Sequence, residues 1–130
     1  MHGSDEFRLG VLGCGTVGGA VLRLLTRNSR EIEASVGAKI NVQGILVRSS
    51  SQARSGIDSN VVTTDVERVV GDPSIDVIVE TMGGIEVAYD LVRRALTSGK
   101  SVVTANKALI AVHGEELQAL ADSSGALLAY

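Results

Sequence analysis

The sequence predicts an α/β protein with a doubly wound, mostly parallel sheet of five or six strands and helices on both faces. Short apolar runs alternate with segments whose apolar residues recur at helical spacing, which is typical of successive βαβ units. Some runs are almost continuously aliphatic, such as IDVIVET at residues 75–81, as expected of parallel strands covered on both faces. Aromatic residues make up only 2% of the chain, so Val, Leu, Ile and Ala must fill the core.

The bulk composition indicates one domain. A chain of 130 residues with 45% hydrophobic and 21% charged residues can bury a sizeable core. Residues 1–7 are predicted to be a flexible start, native or foreign to the protein, and residues 8–130 to be the folded domain. A net charge of -3 supplies no basic field for nucleic acid. No apolar run reaches the roughly 18 to 20 residues that span a bilayer. We therefore expect neither nucleic acid nor a membrane as partner.

Cysteine and histidine usage excludes two further classes of site. The single cysteine, Cys14, cannot form an internal disulfide, which favours a reducing cytoplasm. It occupies a variable position of a glycine turn and has no partnered base, so we interpret it as a small packed residue. His2 and His113 lack nearby carboxylates at metal-binding spacing, so no metal site is predicted. His113 precedes a predicted helix and is interpreted as a capping or packing residue.

The segment VLGCGTVG at residues 11–18 dominates the functional prediction. A strand at residues 8–12 runs into glycines spaced GxGxxG, and apolar residues at helical spacing follow. Gly13 would allow the tight turn, Gly15 the approach of backbone N–H groups to a pyrophosphate, and Gly18 the close packing of helix on sheet. This is the Rossmann-type dinucleotide-binding pattern, with the anion at the helix N-terminus. The alternative is a glycine turn with a structural role alone.

A positively charged residue follows the second predicted strand, where NAD-binding units usually have an acidic residue. A helix over residues 16–28 and a short helical piece at 30–35 precede a β-branched strand, KINVQGILV, at residues 39–47. An NAD-binding unit usually places an acidic residue after this strand, for the ribose 2'-hydroxyl. Arg48 stands there instead, beside Ser49, which favours NADP and its 2'-phosphate while leaving NAD possible. A solvated loop arginine is the alternative, and Arg54 in the polar loop at residues 49–60 could bind the phosphate equally well.

The middle of the chain is predicted to hold a short strand, a helix and a buried strand. The short strand lies at residues 61–63. Thr64 and Glu67 have the spacing of a capping box, so a helix is predicted from Thr64 to just before Gly71. The strand at 75–81 carries Glu80, a carboxylate in an apolar run, whose expected partners are backbone N–H groups of a neighbouring turn. It ends in a second glycine turn at a strand C-terminus, where open α/β sheets bind ligands.

The last third continues the alternation. A helix ending at Gly99, a position suited to the left-handed conformation, precedes a strand at residues 100–105. A helical region follows, predicted to break near His113 and Gly114 and to end at Gly125, before a strand at 126–130. The apolar face predicted for the first of these helices is Ala88, Leu91, Val92, Ala95 and Leu96. The second helical region contains Ala108, Leu109, Leu117, Leu120 and Ala121.

Three motifs together resemble one family. GCGTVG at residues 13–18, VETMGG at 79–84 and VTANKALIA at 103–111 are similar to the nucleotide-binding domain of homoserine dehydrogenase, and HGEELQALA at 113–121 also fits it. GxGxVG is shared by many dehydrogenases, whereas the strand-terminal GG followed by TANK is much more specific. The resemblance covers nearly the whole chain after Arg8, and the substrate and dimerisation domain that follows in the family is expected to be missing from this chain.

The resemblance implies reversible NAD(P)-dependent interconversion of L-homoserine and L-aspartate 4-semialdehyde, on the route to threonine and methionine. It also implies that this chain alone binds a dinucleotide but is inactive, and that a homo-oligomer forms only with the missing domain. By motif position, the implied cofactor-binding residues are Gly13, Gly15, Thr16, Val17, Gly18, Arg48, Ser49, Thr81, Met82, Gly83, Thr104 and Lys107. Lys107 matches the family's catalytic lysine, and Asn106 would cap the helix that follows. Without the resemblance, Lys107 could equally be a surface lysine after a strand.

Two other functions remain open on the sequence. One is a different NAD(P)-dependent dehydrogenase of a small amino-acid-derived substrate, against which the TANK motif argues. The other is a nucleotide-sensing or regulatory binding module without catalysis, which the missing domain makes harder to dismiss.

Overall fold

A computed structural model describes residues 6–13, 15–48 and 59–130. Its centre is one six-stranded sheet in the order β3-β2-β1-β4-β5-β6, and all the strand pairs are parallel. The chain adds strands to one side of β1 and then to the other, so a crevice forms where the order reverses, at the carboxyl ends of β1 and β4. The strands are β1 Glu6–Leu12, β2 Lys39–Leu46, β3 Val62–Thr63, β4 Val77–Glu80, β5 Ser101–Thr104 and β6 Leu128–Ala129.

Helices cover both faces of this sheet, as predicted. Val11 of β1 packs with Leu22 on one face, while the next residue, Leu12, packs with Ala88 and Leu109 on the other. Successive strand residues point to opposite faces, so β1 is buried from both sides. The helices are α1 Thr16–Arg27, α2 Ser29–Val36, α3 Glu86–Thr97 and α4 Lys107–Ser124.

The predicted apolar face of α3 is confirmed, since all five of its residues are buried. Gly99 follows the helix with φ +89°, and Gly125 ends α4 with φ +72°. Both values lie in the left-handed region that glycine adopts without a steric penalty. On α4, Leu109, Leu117 and Ala121 are buried and Leu120 is partly buried, whereas Ala108 is exposed.

The sheet begins two residues earlier than predicted. Glu6 pairs with Lys39 and Phe7 with Ile40, so these residues belong to β1 and not to a flexible start. Glu6 is tolerated at the strand end because its carboxylate accepts a hydrogen bond from Nε of Arg8 at 2.9 Å. Residues 1–5 lie outside the described part of the chain.

The prediction of a capping box at Thr64 and of a helix beginning there was wrong. The segment forms only a 3-10 turn, Val66–Arg68, and its cap is Asp65, which accepts a hydrogen bond from the Glu67 N–H at 3.0 Å. The Glu67 carboxylate does not return to the turn, because it binds Arg94 of α3 at 2.7 Å.

The predicted break at His113 and Gly114 was also wrong, since α4 continues through both. Gly114 costs about 1 kcal/mol relative to alanine inside a helix. The contact of α4 with α3 offsets that cost. The ring of His113 stacks on Tyr89 of α3 with 4.1 Å between centroids, and Glu116 accepts a hydrogen bond from the Tyr89 hydroxyl. His113 is therefore a packing residue inside the helix and not ahead of it.

Candidate functional site

The glycine turn lies where the sequence placed it, between the end of β1 and the start of α1. Gly13 has φ +90°, a conformation that favours glycine. Its N–H donates to the carbonyl of Leu46 on β2 at 2.8 Å, which ties the turn to the neighbouring strand. Cys14 lies outside the described residues.

Gly18 and Gly15 differ in what they require. A Cβ at Gly18 would lie 2.5 Å from the Gly13 carbonyl oxygen and 2.8 Å from Oγ1 of Thr81, so only glycine lets α1 approach this closely. A Cβ at Gly15 would meet no described atom within 4 Å. Packing therefore accounts for glycine at position 18 but not at position 15.

The N-terminus of α1 is chemically open. Gly15 is its N-cap and contributes no side-chain hydrogen bond, and the first turn contains no acidic residue. The first N–H groups of a helix have no intrahelical acceptor and attract anions. Thr16 and Val17 form the start of this turn. The backbone here can therefore serve an anion such as a pyrophosphate, as the motif predicts.

A second turn, after β4, adjoins the first. Oγ1 of Thr81 donates towards the carbonyl oxygens of Leu12 and Gly13, at 3.0 and 3.2 Å, so the two turns are joined directly. Gly83 and Gly84 both have φ +74°, and a Cβ at either would stand in open space. Met82, between them and Thr81, packs partly buried against the core. The structure thus brings Thr81, Met82 and Gly83 beside the glycine turn.

A buried polar network underlies that second turn. Glu80 is fully buried, and one of its carboxylate oxygens accepts the Met82 N–H at 2.7 Å. Its other oxygen accepts the hydroxyl of Thr104, at the end of β5. The predicted backbone partner of Glu80 is confirmed, but Thr104 was not expected as a partner. The buried hydroxyl of Thr104 donates to Glu80. Direct contact between the Thr104 side chain and a cofactor stays a prediction.

Lys107 is the first residue of α4, and it is exposed. Asn106 caps the helix as predicted, since its side-chain oxygen accepts the Leu109 N–H at 3.0 Å. The amide nitrogen of Asn106 donates to the carbonyl of Gly84. Lys107 therefore lies beside the turn after β4, at the same edge of the sheet as the glycine turn.

Arg48 follows β2, the neighbour of β1, and it is exposed two residues beyond the end of the strand. This places it at the carboxyl edge, on the other side of the glycine turn from Lys107. Ser49 and Arg54 lie outside the described residues, so the choice between the two arginines stays open.

A separate cleft of about 670 Å³ opens at the opposite edge, near the first residues of β4 and β5. Lys100 lines it, and burial lowers the pKa of this lysine despite the nearby carboxylates of Asp72 and Asp76. Hydrogen bonds from Ser74 hold the pKa of Asp72 below its usual value. The cleft is the full length of a strand away from the glycine turn and is not the predicted cofactor site.

Other site classes find no support in the described part of the chain. No group of three His, Cys, Asp or Glu residues there could hold a metal ion. Among the described helices, none is long and apolar enough to cross a membrane.

Known proteins match this arrangement. A family model described as homoserine dehydrogenase, NAD binding domain, matches residues 13–130. Homoserine dehydrogenase of Pseudomonas aeruginosa is 42% identical over 123 residues, which are 95% of this chain and 28% of that protein. The Bacillus subtilis enzyme is 39% identical over 119 residues, 91% of this chain and 28% of that protein. The chain thus spans less than a third of the length of these relatives.

Solved structures agree. The crystal structure of a homoserine dehydrogenase from Thiobacillus denitrificans superposes with a TM-score of 0.91 at 41% identity, covering 100% of this chain and 30% of that one. A hyperthermophilic archaeal homoserine dehydrogenase in complex with NADPH gives 0.78 at 26% identity, covering 96% and 43%. With its glycine turn, its paired strand-end turns and these relatives, the chain belongs to the homoserine dehydrogenase family and is its NAD-binding domain.

Proposed function

We propose that this chain binds NAD(P) for an enzyme that interconverts L-homoserine and L-aspartate 4-semialdehyde in threonine and methionine biosynthesis. The proposal rests mainly on Gly15, because no packing contact explains why this position has no side chain. It stands between two glycines that the fold requires, at the open N-terminus of α1. Space left at this point lets a pyrophosphate reach the backbone N–H groups.

The chemistry divides between cofactor and protein. A bound nicotinamide supplies the hydride acceptor. When homoserine is oxidised, its hydroxyl carbon loses a hydride and its hydroxyl loses a proton as the carbonyl forms. Lys107, exposed at the carboxyl edge, is the group that we propose manages that proton and stabilises charge on the oxygen. We propose that the remaining cofactor contacts are those that the family motifs assign, namely Gly13, Gly15, Thr16, Val17, Gly18, Arg48, Ser49, Thr81, Met82, Gly83, Thr104 and Lys107.

We further propose that the 130-residue chain binds a dinucleotide but does not turn over homoserine. The substrate carbonyl must be held against the nicotinamide, and such positioning contributes several kcal/mol to lowering a barrier. The protein surface that holds the substrate would come from the part of the relatives' length that this chain does not cover, as would oligomer contacts. The single cysteine supports a reducing cytoplasm as the location. Turnover by the longer protein distinguishes this enzyme from a nucleotide-sensing module.

Gly15→Ala tests whether the free space at Gly15 is needed for binding of a pyrophosphate. We expect the variant to fold with nearly wild-type stability, because the added methyl group meets no described atom. We expect its dissociation constant for NADPH to rise about tenfold or more, because the methyl group occupies the space that the pyrophosphate needs. Fluorescence titration measures the binding, and thermal unfolding measures the stability. Gly19→Ala adds the same group one turn along α1 and serves as control. Unchanged affinity in Gly15→Ala would refute the assignment.

Arg48→Ala tests cofactor choice. We propose NADP over NAD, because Arg48 is the cation where NAD-binding units usually carry an acid, and the NADPH complex of the archaeal relative supports this. Loss of a hydrogen bond to a charged group predicts about tenfold weaker NADPH binding. NADH binding should stay the same. Arg30→Ala, on α2, is the charge-matched control. Equal losses for both cofactors, or none, would count against Arg48.

A further inference from the structure

Three buried side chains form a bridge between the ends of β4 and β5. Glu80, Thr104 and Asn106 are 0%, 4% and 8% exposed. Glu80 accepts from the Met82 N–H and from the Thr104 hydroxyl, and the same hydroxyl oxygen accepts the Asn106 N–H at 3.0 Å. The Asn106 side chain completes the bridge by donating a hydrogen bond to the Gly84 carbonyl. The bridge thus ties the turn after β4 to the residue before Lys107.

Folding alone does not account for a carboxylate in this position. Burying a charged group costs free energy that its partners only partly return, and well-packed apolar residues are often at least as stable there. Ile78, two residues earlier on the same strand and facing the same side of the sheet, shows what the core accepts. What Glu80 adds is geometry, since one of its oxygens is bound to the turn after β4 and the other to Thr104, the last residue of β5.

We propose that Glu80 is a positioning residue of the dinucleotide site. Through Met82 it sets the turn that carries Gly83, and through Thr104 and Asn106 it sets the start of α4, which carries Lys107. It touches neither cofactor nor substrate and acts by holding these two loops at a fixed separation. The inference rests on the proposed function in one respect, that these loops meet the nicotinamide.

Three variants of this chain separate positioning from stability. Thr104→Val removes the hydroxyl at almost constant shape and leaves Glu80 buried without one of its donors, so stability falls. Thr104→Ser keeps the hydroxyl that Glu80 accepts and should keep wild-type stability. Glu80→Met combined with Thr104→Val replaces both partners by apolar groups. The double replacement removes the unpaired buried carboxylate that Thr104→Val leaves, but the Met82 and Asn106 N–H groups lose their acceptors, so it should restore only part of the stability.

The expected result is that the double variant is more stable than Thr104→Val but binds no better. We expect its dissociation constant for NADPH to be raised about tenfold, because the loops that would meet the cofactor are no longer held in place through Glu80. Val92→Ala, a cavity in the buried face of α3, is the destabilised control and should keep wild-type affinity below its unfolding temperature. Wild-type affinity in the double variant would show that the bridge serves folding only.

A measurement without cofactor keeps this inference separate from the proposed function. In the double variant, the backbone amide resonances of Gly84 and Lys107 should both shift from their wild-type positions, because the link through Glu80 is lost and only the bond from Asn106 to the Gly84 carbonyl still joins the two loops. If the wild-type chain binds neither NADPH nor NADH, the proposed function fails, and the amide shifts still report on the bridge. If substitution at residues 80 and 104 leaves the Lys107 amide in place, the bridge does not position α4 and the inference is overturned.

Discussion

Replacing Lys107 by alanine is expected to lower the turnover number of an enzyme that carries this domain together with the rest of its relatives' length by about 10²- to 10⁴-fold, the range for loss of a general acid or base. The fold of the domain should not suffer. Lys107 is exposed, and Asn106 rather than Lys107 caps α4. A cation in the first turn of a helix also opposes the helix dipole. Removing it should leave stability unchanged or raise it slightly, by less than about 1 kcal/mol.

The measurement compares steady-state kinetics with cofactor affinity. In Lys107→Ala the loss in the turnover number should greatly exceed any rise in the dissociation constant of NADPH. Lys107→Arg separates two roles, because arginine keeps the charge but cannot release a proton near neutral pH. Rescue by arginine would indicate charge stabilisation, and failure of rescue would indicate proton transfer. Lys39→Ala, an exposed lysine at the start of β2, is the control. Full activity of Lys107→Ala would remove this residue from the proposed chemistry.

The elements that the sequence predicted well are those with strong local signals. The two glycine turns, the apolar face of α3 and the caps at Asn106 and Gly125 depend on residues close together in the chain. Local sequence rules were sufficient there because the tertiary structure stabilises the same conformation that the local sequence favours. The same rules located the loops after β1, β4 and β5, which the strand order then brings to one edge.

The errors occurred where contacts distant in sequence decided the outcome. Glu67 matched a local capping pattern, but Arg94, 27 residues away, binds its carboxylate. His113 and Gly114 suggested a break, but stacking on Tyr89, which belongs to another helix, supports an unbroken α4. The partnership of Glu80 with Thr104 depends on the pairing of β4 with β5, in which these two residues are direct neighbours. A buried carboxylate in an apolar strand was the one signal that pointed to this network.

Gly18→Ala is expected to destabilise the domain and abolish dinucleotide binding together. The new methyl carbon would lie 2.5 Å from the carbonyl oxygen of Gly13, and backbone cannot give way as a flexible side chain can. Relief requires α1 to move away from the turn, at a cost of about 1–3 kcal/mol or more for an overpacked site. The same movement displaces the N–H groups that would hold the pyrophosphate. Affinity for NADPH should therefore fall below detection even at temperatures where the variant is folded.

Gly19→Ala, one residue further, should have the opposite effect on stability. Its Cβ would lie 3.2 Å from a terminal guanidinium nitrogen of Arg23, the mobile end of a long side chain that can rotate away. Alanine inside a helix is better than glycine by up to about 1 kcal/mol, so this variant should unfold at a temperature a few degrees higher. Urea unfolding of both variants beside wild type measures the difference. A Gly18→Ala protein as stable as Gly19→Ala would mean that α1 does not pack against the Gly13 turn, and the assignment of the third motif glycine to helix packing would be lost.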